Sequence, residues 1–159
     1  MKVGHSARRR QTKFEVVTGH YLPDMFVHEF KLRIRYAETD QMGYVYYGRY
    51  AEIFEVGRVE ALRSVGFPYK ALEIAGVMLP VRDLRITYHK PARYDDELTI
   101  RTTITALPSV RIDFAYEILD HDGTLLTDGS TTLIFVDGST MRPRRAPEEL
   151  VKALSSYFD

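Results

Sequence analysis

The chain has 159 residues, with 22 basic and 22 acidic side chains and no cysteine. That length fits one domain with a real core. Zero net charge gives no global pull toward nucleic acid or membrane, and the lack of cysteine excludes disulfides, thiolate metal sites and a cysteine nucleophile. No apolar run approaches the roughly 20 residues that span a bilayer, so no membrane insertion is expected. The basic start, Arg8-Arg9-Arg10, is followed by no apolar signal core, and a cytoplasmic location is the expectation.

Residues 1 to about 25 are polar, basic and without sustained periodicity, which predicts a flexible tail ahead of a single domain over 26–159. From Phe26 to Tyr36 the apolar residues Phe30, Leu32 and Ile34 alternate with Glu29, Lys31, Arg33 and Arg35. Period-two alternation with charge on one side predicts a strand with one buried face. The period then changes. Between about Tyr44 and Val65, Tyr47, Tyr50, Phe54, Gly57, Ala61 and Val65 recur at steps of three and four, one face of the one long helix in the chain. Gly57 in mid-helix costs about 1 kcal/mol relative to alanine, which close packing on a sheet would explain. Gly66 and Pro68 end the helix, and a short helical turn is predicted around Tyr69–Ile74.

Four further strands follow, around Leu84–Tyr88, Leu98–Ile104, Val110–Ile118 and Leu125–Val136, with Gly129 as a bulge or close-approach point. Their connectors have turn composition and are short, which predicts antiparallel neighbours. Pro147, Glu148 and Glu149 open a short C-terminal helix. The fold class is α+β: a curved antiparallel sheet of about five strands wrapped around one long helix, with self-association expected from the open sheet edges.

The sequence carries no Walker loop, dinucleotide fingerprint, G-x-S-x-G elbow or H-E-x-x-H helix, and the histidines at 28, 89 and 121 are scattered, so no metal site is expected. The stretch Tyr36–Tyr50 is different. It sets Asp40 just ahead of the long helix, with Gly43 free to turn the backbone sharply toward a ligand. The unpaired N–H groups at the helix start, from about Tyr46 and Tyr47, could polarise a carbonyl oxygen, and Asp40 beside them could attack its carbon or take a proton from water. The same pattern fits a helix cap, since Thr39 and Asp40 are both favoured caps, and local pattern by itself favours that use. The tyrosine cluster at 44, 46, 47 and 50 fits either an acyl pocket or core and interface packing. Arg142, Arg144, Arg145, Lys90 and Arg93 are candidates for phosphate contact if the ligand is phosphorylated.

Read as Y-A-E-T-D-Q-M-G-Y-V-Y-Y-G-R-Y, residues 36–50 resemble the active-site signature of hot-dog-fold acyl-CoA thioesterases of the 4-hydroxybenzoyl-CoA thioesterase-like branch. Tyr88-His89-Lys90-Pro91-Ala92-Arg93-Tyr94-Asp95-Asp96 is similar to that family's hairpin between two long strands. The resemblance implies that Asp40 is the catalytic carboxylate, as nucleophile or general base, and that the backbone N–H of Tyr47 holds the thioester carbonyl with Gly43 permitting the turn. It implies an acyl-CoA or acyl-carrier-protein thioester as substrate; on their place at the helix start, Tyr46, Tyr50 and Phe54 are expected to shape its pocket. It also implies no metal or redox cofactor, coenzyme A being part of the substrate, and a homodimer or homotetramer with the site at the subunit interface. A dehydratase or hydratase on the same fold would use an active-loop histidine, which residues 36–50 lack; a non-catalytic acyl-CoA or acyl-carrier-protein binding module is the remaining alternative.

Overall fold

The computed structural model describes residues 24–158; the predicted N-terminal tail lies almost wholly outside the described residues. Strand β1 (Phe26–Arg33) leads into a single 3-10 turn at Tyr36–Glu38 and then the long helix α1 (Arg49–Ser64). Helix α2 (Tyr69–Ile74) and the two-residue strand β2 (Val77–Met78) follow. Strands β3 (Val81–Tyr88), β4 (Glu97–Ile104), β5 (Arg111–Leu119) and β6 (Leu125–Ile134) complete the main sheet. A second short strand, β7 (Val136–Asp137), pairs with β2, and helix α3 (Glu148–Ser155) closes the described chain.

The predicted α+β class and the five-stranded antiparallel sheet are present, in the order β1-β4-β5-β6-β3. β4 shows why: Leu98, Ile100, Thr102 and Ile104 are buried while Thr99, Arg101 and Thr103 are half-buried on the other face. The outer face is held by cross-strand charge, with Arg101 bonded to Glu29 of β1 at 2.8 Å and Glu117 of β5 at 3.1 Å.

Helix α1 lies against the inner face, and two glycines set how closely. A Cβ on Gly57 would stand 2.6 Å from Thr102 Oγ1 and 2.7 Å from Ile100 Cγ2, so the helix backbone rests directly on β4. A Cβ on Gly129 would collide with the Arg85 carbonyl oxygen and stand 2.5 Å from Phe54 Cε2. Gly129 is therefore a close-approach glycine, paired with Tyr116 in the part of β5–β6 that precedes the register shift at Ile118/Leu119. Phe54 fills that space and stacks on Tyr116 with ring centroids 4.3 Å apart. Leu150 and Leu154 of α3 close one end of the same core.

Two expectations need correction. The long helix starts at Arg49, not near Tyr44, because the backbone before it is already paired: Val45 bridges to Thr39, and its N–H donates to the Ala92 carbonyl. The segment Tyr88–Asp96 is no hairpin, since β3 pairs with β6 and β4 with β1 and β5. It carries the chain across the sheet and is tied to the β1–α1 connection by Ile34 N–H to Asp96 O and Asp95 N–H to Ile34 O, each 3.0 Å.

Candidate active site

The connection from β1 to α1 is a compact device built from its own backbone bonds. Glu38 is buried at its base; burial pushes its carboxyl pKa up, but the Arg35 backbone N–H and guanidinium outweigh that and hold it below the usual value. Beyond it, residues 39–45 fold into a small hairpin. Asp40 N–H donates to Tyr44 O at 2.8 Å, and Gly43 N–H to Asp40 O at 3.0 Å. Asp at the first position and Gly at the fourth suit this turn, and Gly43 has φ +77°, which favours glycine.

Asp40 does not cap α1. Its Oδ1 accepts the N–H of Met42 at 2.9 Å, an Asx turn within the hairpin, while Oδ2 meets no donor among the described residues. The N-cap position of α1 belongs to Gly48, which offers no side chain.

The amides at the helix start divide in two. Tyr46 N–H, expected to be free, donates to Glu38 O at 2.9 Å and is spent. The N–H groups of Tyr47 and Gly48 meet no acceptor among the described residues. The Tyr88 hydroxyl donates to Tyr47 O at 2.9 Å and so fixes the Tyr47–Gly48 peptide; because that peptide is trans, the Gly48 N–H points the opposite way. Gly48 escapes the sequence reading, since side-chain periodicity places the helix start too early.

A groove of about 260 Å³ opens beside this arrangement. Asp40, Met42, Tyr44, Val45, Tyr47 and Tyr50 form one side, and Tyr88, His89, Lys90 and Pro91 the other. Tyr50 is nearly buried, edge-on to Tyr88 at 5.4 Å, and burial raises its hydroxyl pKa. Tyr46 is exposed and leans on Tyr47, outside the lining. Phe54 lies in the core beneath and does not line the groove either. Gly43 stands at the hairpin turn, with Arg93 over the Tyr44 ring at 4.9 Å. The Tyr88–Pro91 wall has a sequence signal only in the Tyr88–Asp96 resemblance, because β3 and the hairpin are far apart in the chain.

His89 lines the groove, but its ring is engaged. His89 pairs through its ring with Asp128 at 2.5 Å, and burial lowers the pKa of His28. Asp120, His121 and Asp122 cluster in the β5–β6 turn, where Asp120 Oδ1 accepts the N–H groups of Asp122 and Thr124.

The free carboxylate oxygen of Asp40 and the unclaimed amide of Tyr47 stand beside one groove, in front of a helix laid on a five-stranded sheet. The family model of the thioesterase-like superfamily matches residues 34–154. The chain belongs to that superfamily. The acyl-CoA thioester hydrolase YbgC of Escherichia coli O6:H1 is 35% identical over 120 residues, 76% of this chain and 90% of the relative. The acyl-CoA thioesterase YbgC of Haemophilus influenzae is 30% identical over 125 residues, covering 78% and 91%. Among solved structures, a DHNA-CoA thioesterase from Staphylococcus aureus superposes with a TM-score of 0.78 at 34% identity, covering 82% of this chain and 89% of that one. The hot-dog fold and the thioesterase family expected from residues 36–50 are thereby both met.

Proposed function

We propose that this thioester hydrolase acts on an acyl-CoA, releasing the free acid and the thiol, with Asp40 as the catalytic carboxylate. The observation that carries this reading is the free Asp40 Oδ2 in the same groove wall as the unclaimed amide of Tyr47. A thioester carbonyl oxygen accepting the N–H group of Tyr47 gains stabilisation as charge develops on it, helped by the dipole of α1. Asp40 then either attacks the carbonyl carbon, giving an acyl-aspartyl anhydride that water hydrolyses, or removes the proton of an attacking water; in both routes the C–S bond breaks, a C–O bond replaces it, and the thiolate leaves and takes up a proton. Gly43 keeps the hairpin tight enough to hold Asp40 there, and Tyr47 and Tyr50 border the acyl group.

The acyl-CoA activities by which these relatives are named support coenzyme A as the carrier, and Lys90 and Arg93 near the groove are candidates for its phosphates. Among the described residues no helix is long and apolar enough to cross a membrane. The outer edge of β3 is unpaired among the described residues and shows Val81, Leu84 and Tyr88 at 47%, 47% and 48% exposure, which supports a homodimer joined along this strand.

Asp40→Asn tests the reading directly. Thiol release from a panel of acyl-CoAs is expected to fall by at least about a hundredfold, with the far-UV spectrum unchanged. Hydrolysis near the wild-type rate by a folded Asp40→Asn protein would refute the assignment of the carboxylate. No turnover of any thioester by the wild type would indicate a binding module instead.

A further inference from the structure

Asp40 and the Tyr47 amide belong to the two arms of one hairpin, and the base of that hairpin sets the distance between them. The arms pair as Asp40 with Tyr44, Thr39 with Val45, and Glu38 with Tyr46, the last through the Tyr46 N–H to Glu38 O bond at 2.9 Å. Glu38 stands two residues before Asp40, and its partner Tyr46 one residue before Tyr47.

The side chain of Glu38 fastens this base to the sheet. It is only 10% exposed, and both of its oxygens are occupied. Oε2 accepts the Arg35 backbone N–H at 2.6 Å, and Oε1 accepts the Arg35 guanidinium at 3.2 Å. In return the Glu38 N–H donates to Arg35 O at 3.0 Å, which closes a reciprocal ring around the 3-10 turn. The preceding Ile34 is buried and bonded to Asp95 and Asp96, just ahead of β4. A chain of bonds therefore runs from the start of β4 through Ile34, Arg35 and Glu38 to Tyr46.

Glu38 does not line the groove. Burial disfavours its charged form, and the bonds from Arg35 outweigh that. A buried carboxylate out of the substrate's reach is a costly group, and its one visible task is to grip the Arg35 N–H.

Resting on the thioesterase reading above, we propose that Glu38 is a positioning residue of the hydrolysis, its carboxylate setting the spacing between Asp40 Oδ2 and the Tyr47 amide. It touches neither the thioester nor the attacking water, and acts through the hairpin alone. The spacing matters because a displacement of about 1 Å at a reacting centre costs up to about a hundredfold in rate.

The test uses the full chain, read by steady-state hydrolysis of an acyl-CoA and by amide hydrogen exchange under native conditions. Glu38→Ala is expected to lower kcat by about tenfold or more and to change KM by less than about twofold, since the groove lining is untouched. Glu38→Gln keeps an oxygen for the Arg35 N–H and is expected to restore most of that loss. In Glu38→Ala the Asp40 and Tyr46 amides are expected to gain at least about tenfold more in exchange rate than amides in the core of β4. If Glu38→Ala fails to fold, Arg35 answers the question from the other side of the bond. Its φ of −85° and ψ of 156° lie close to proline's range, and Arg35→Pro lacks the N–H that Arg35→Met keeps. Proline is therefore expected to lose about tenfold more kcat than methionine.

An unchanged kcat or a loss confined to KM in folded Glu38→Ala overturns the proposal, as does a Glu38→Gln protein no better than Glu38→Ala. Exchange that rises equally in β4, or equal losses in Arg35→Pro and Arg35→Met, overturns it too. Wild-type inactivity toward every thioester defeats the thioesterase reading and this proposal with it. The exchange rates need no turnover, so that failure is distinguished from a hairpin that Glu38 does not hold.

Discussion

At the scale of single residues, the absence of a side chain matters as much as its presence. Gly57 gives α1 its contact with β4, and an alanine there gains helix propensity but drives its Cβ into Thr102 and Ile100, both fully buried. Overpacking outweighs propensity in such a place, so Gly57→Ala is expected to destabilise the fold by about 1–2 kcal/mol in chemical denaturation. Tyr116 gives a pH signature. Burial, the largest influence, pushes its hydroxyl pKa up to about 12, although its bond with Thr131 and the nearby Arg58 act the other way. The folded chain thus keeps this proton to about pH 12 while the unfolded chain loses it near the ordinary value of 10.0. The stability from Tyr116 is whole below pH 10 and is lost as pH rises through 12. Tyr116→Phe is expected to flatten that part of an alkaline denaturation curve, and an unchanged curve would rule the tyrosine out as its source.

At the scale of elements, the hairpin before α1 and the end of β3 work as a unit. The Val45 N–H to Ala92 bond and the Tyr88 hydroxyl bond to Tyr47 clamp the two segments together from opposite sides. The second of these holds the peptide that follows the Tyr47 amide. Tyr88→Phe removes one hydrogen bond, about 1 kcal/mol, and leaves the ring packed against Tyr50. The expected result is a loss of up to about tenfold in kcat with a fall of only about 2–4 °C in thermal midpoint. A loss confined to KM would show that Tyr88 positions the substrate and not the amide.

At the scale of the whole molecule, the proposed dimer along the open edge of β3 is the contact to test. An eight-residue strand with apolar residues exposed along it is a template for pairing. Leu84→Lys places a charge at the middle of that edge, where the monomer has room for it. Sedimentation is expected to show monomer in place of dimer, and hydrolysis is expected to fall together with the dimer fraction. Full activity in a monomeric Leu84→Lys protein would show that each chain holds its own site.

Much of this molecule is legible from the order of its residues, because periodicity is local. Alternation in Phe26–Arg33 and Glu97–Ile104 and the three-and-four spacing from Tyr50 to Ala61 each specify an element and its buried face, and Gly57 and Gly129 mark the close approaches. The pairing of strands is not legible, because the short Lys90–Asp96 connection suggests neighbours whereas long-range hydrogen bonds place β3 beside β6. The helix start is hidden for the same reason: the partners of Val45 and Tyr46 are Ala92 and Glu38, and a side-chain period does not report where a backbone N–H is spent. Asp40 stands out from sequence as either cap or catalyst. Only the tertiary structure removes the cap, because the pairing of Val45 and Tyr46 delays the helix until Arg49, beyond the reach of the Asp40 side chain, and the hairpin turns Oδ1 onto Met42 while leaving Oδ2 free.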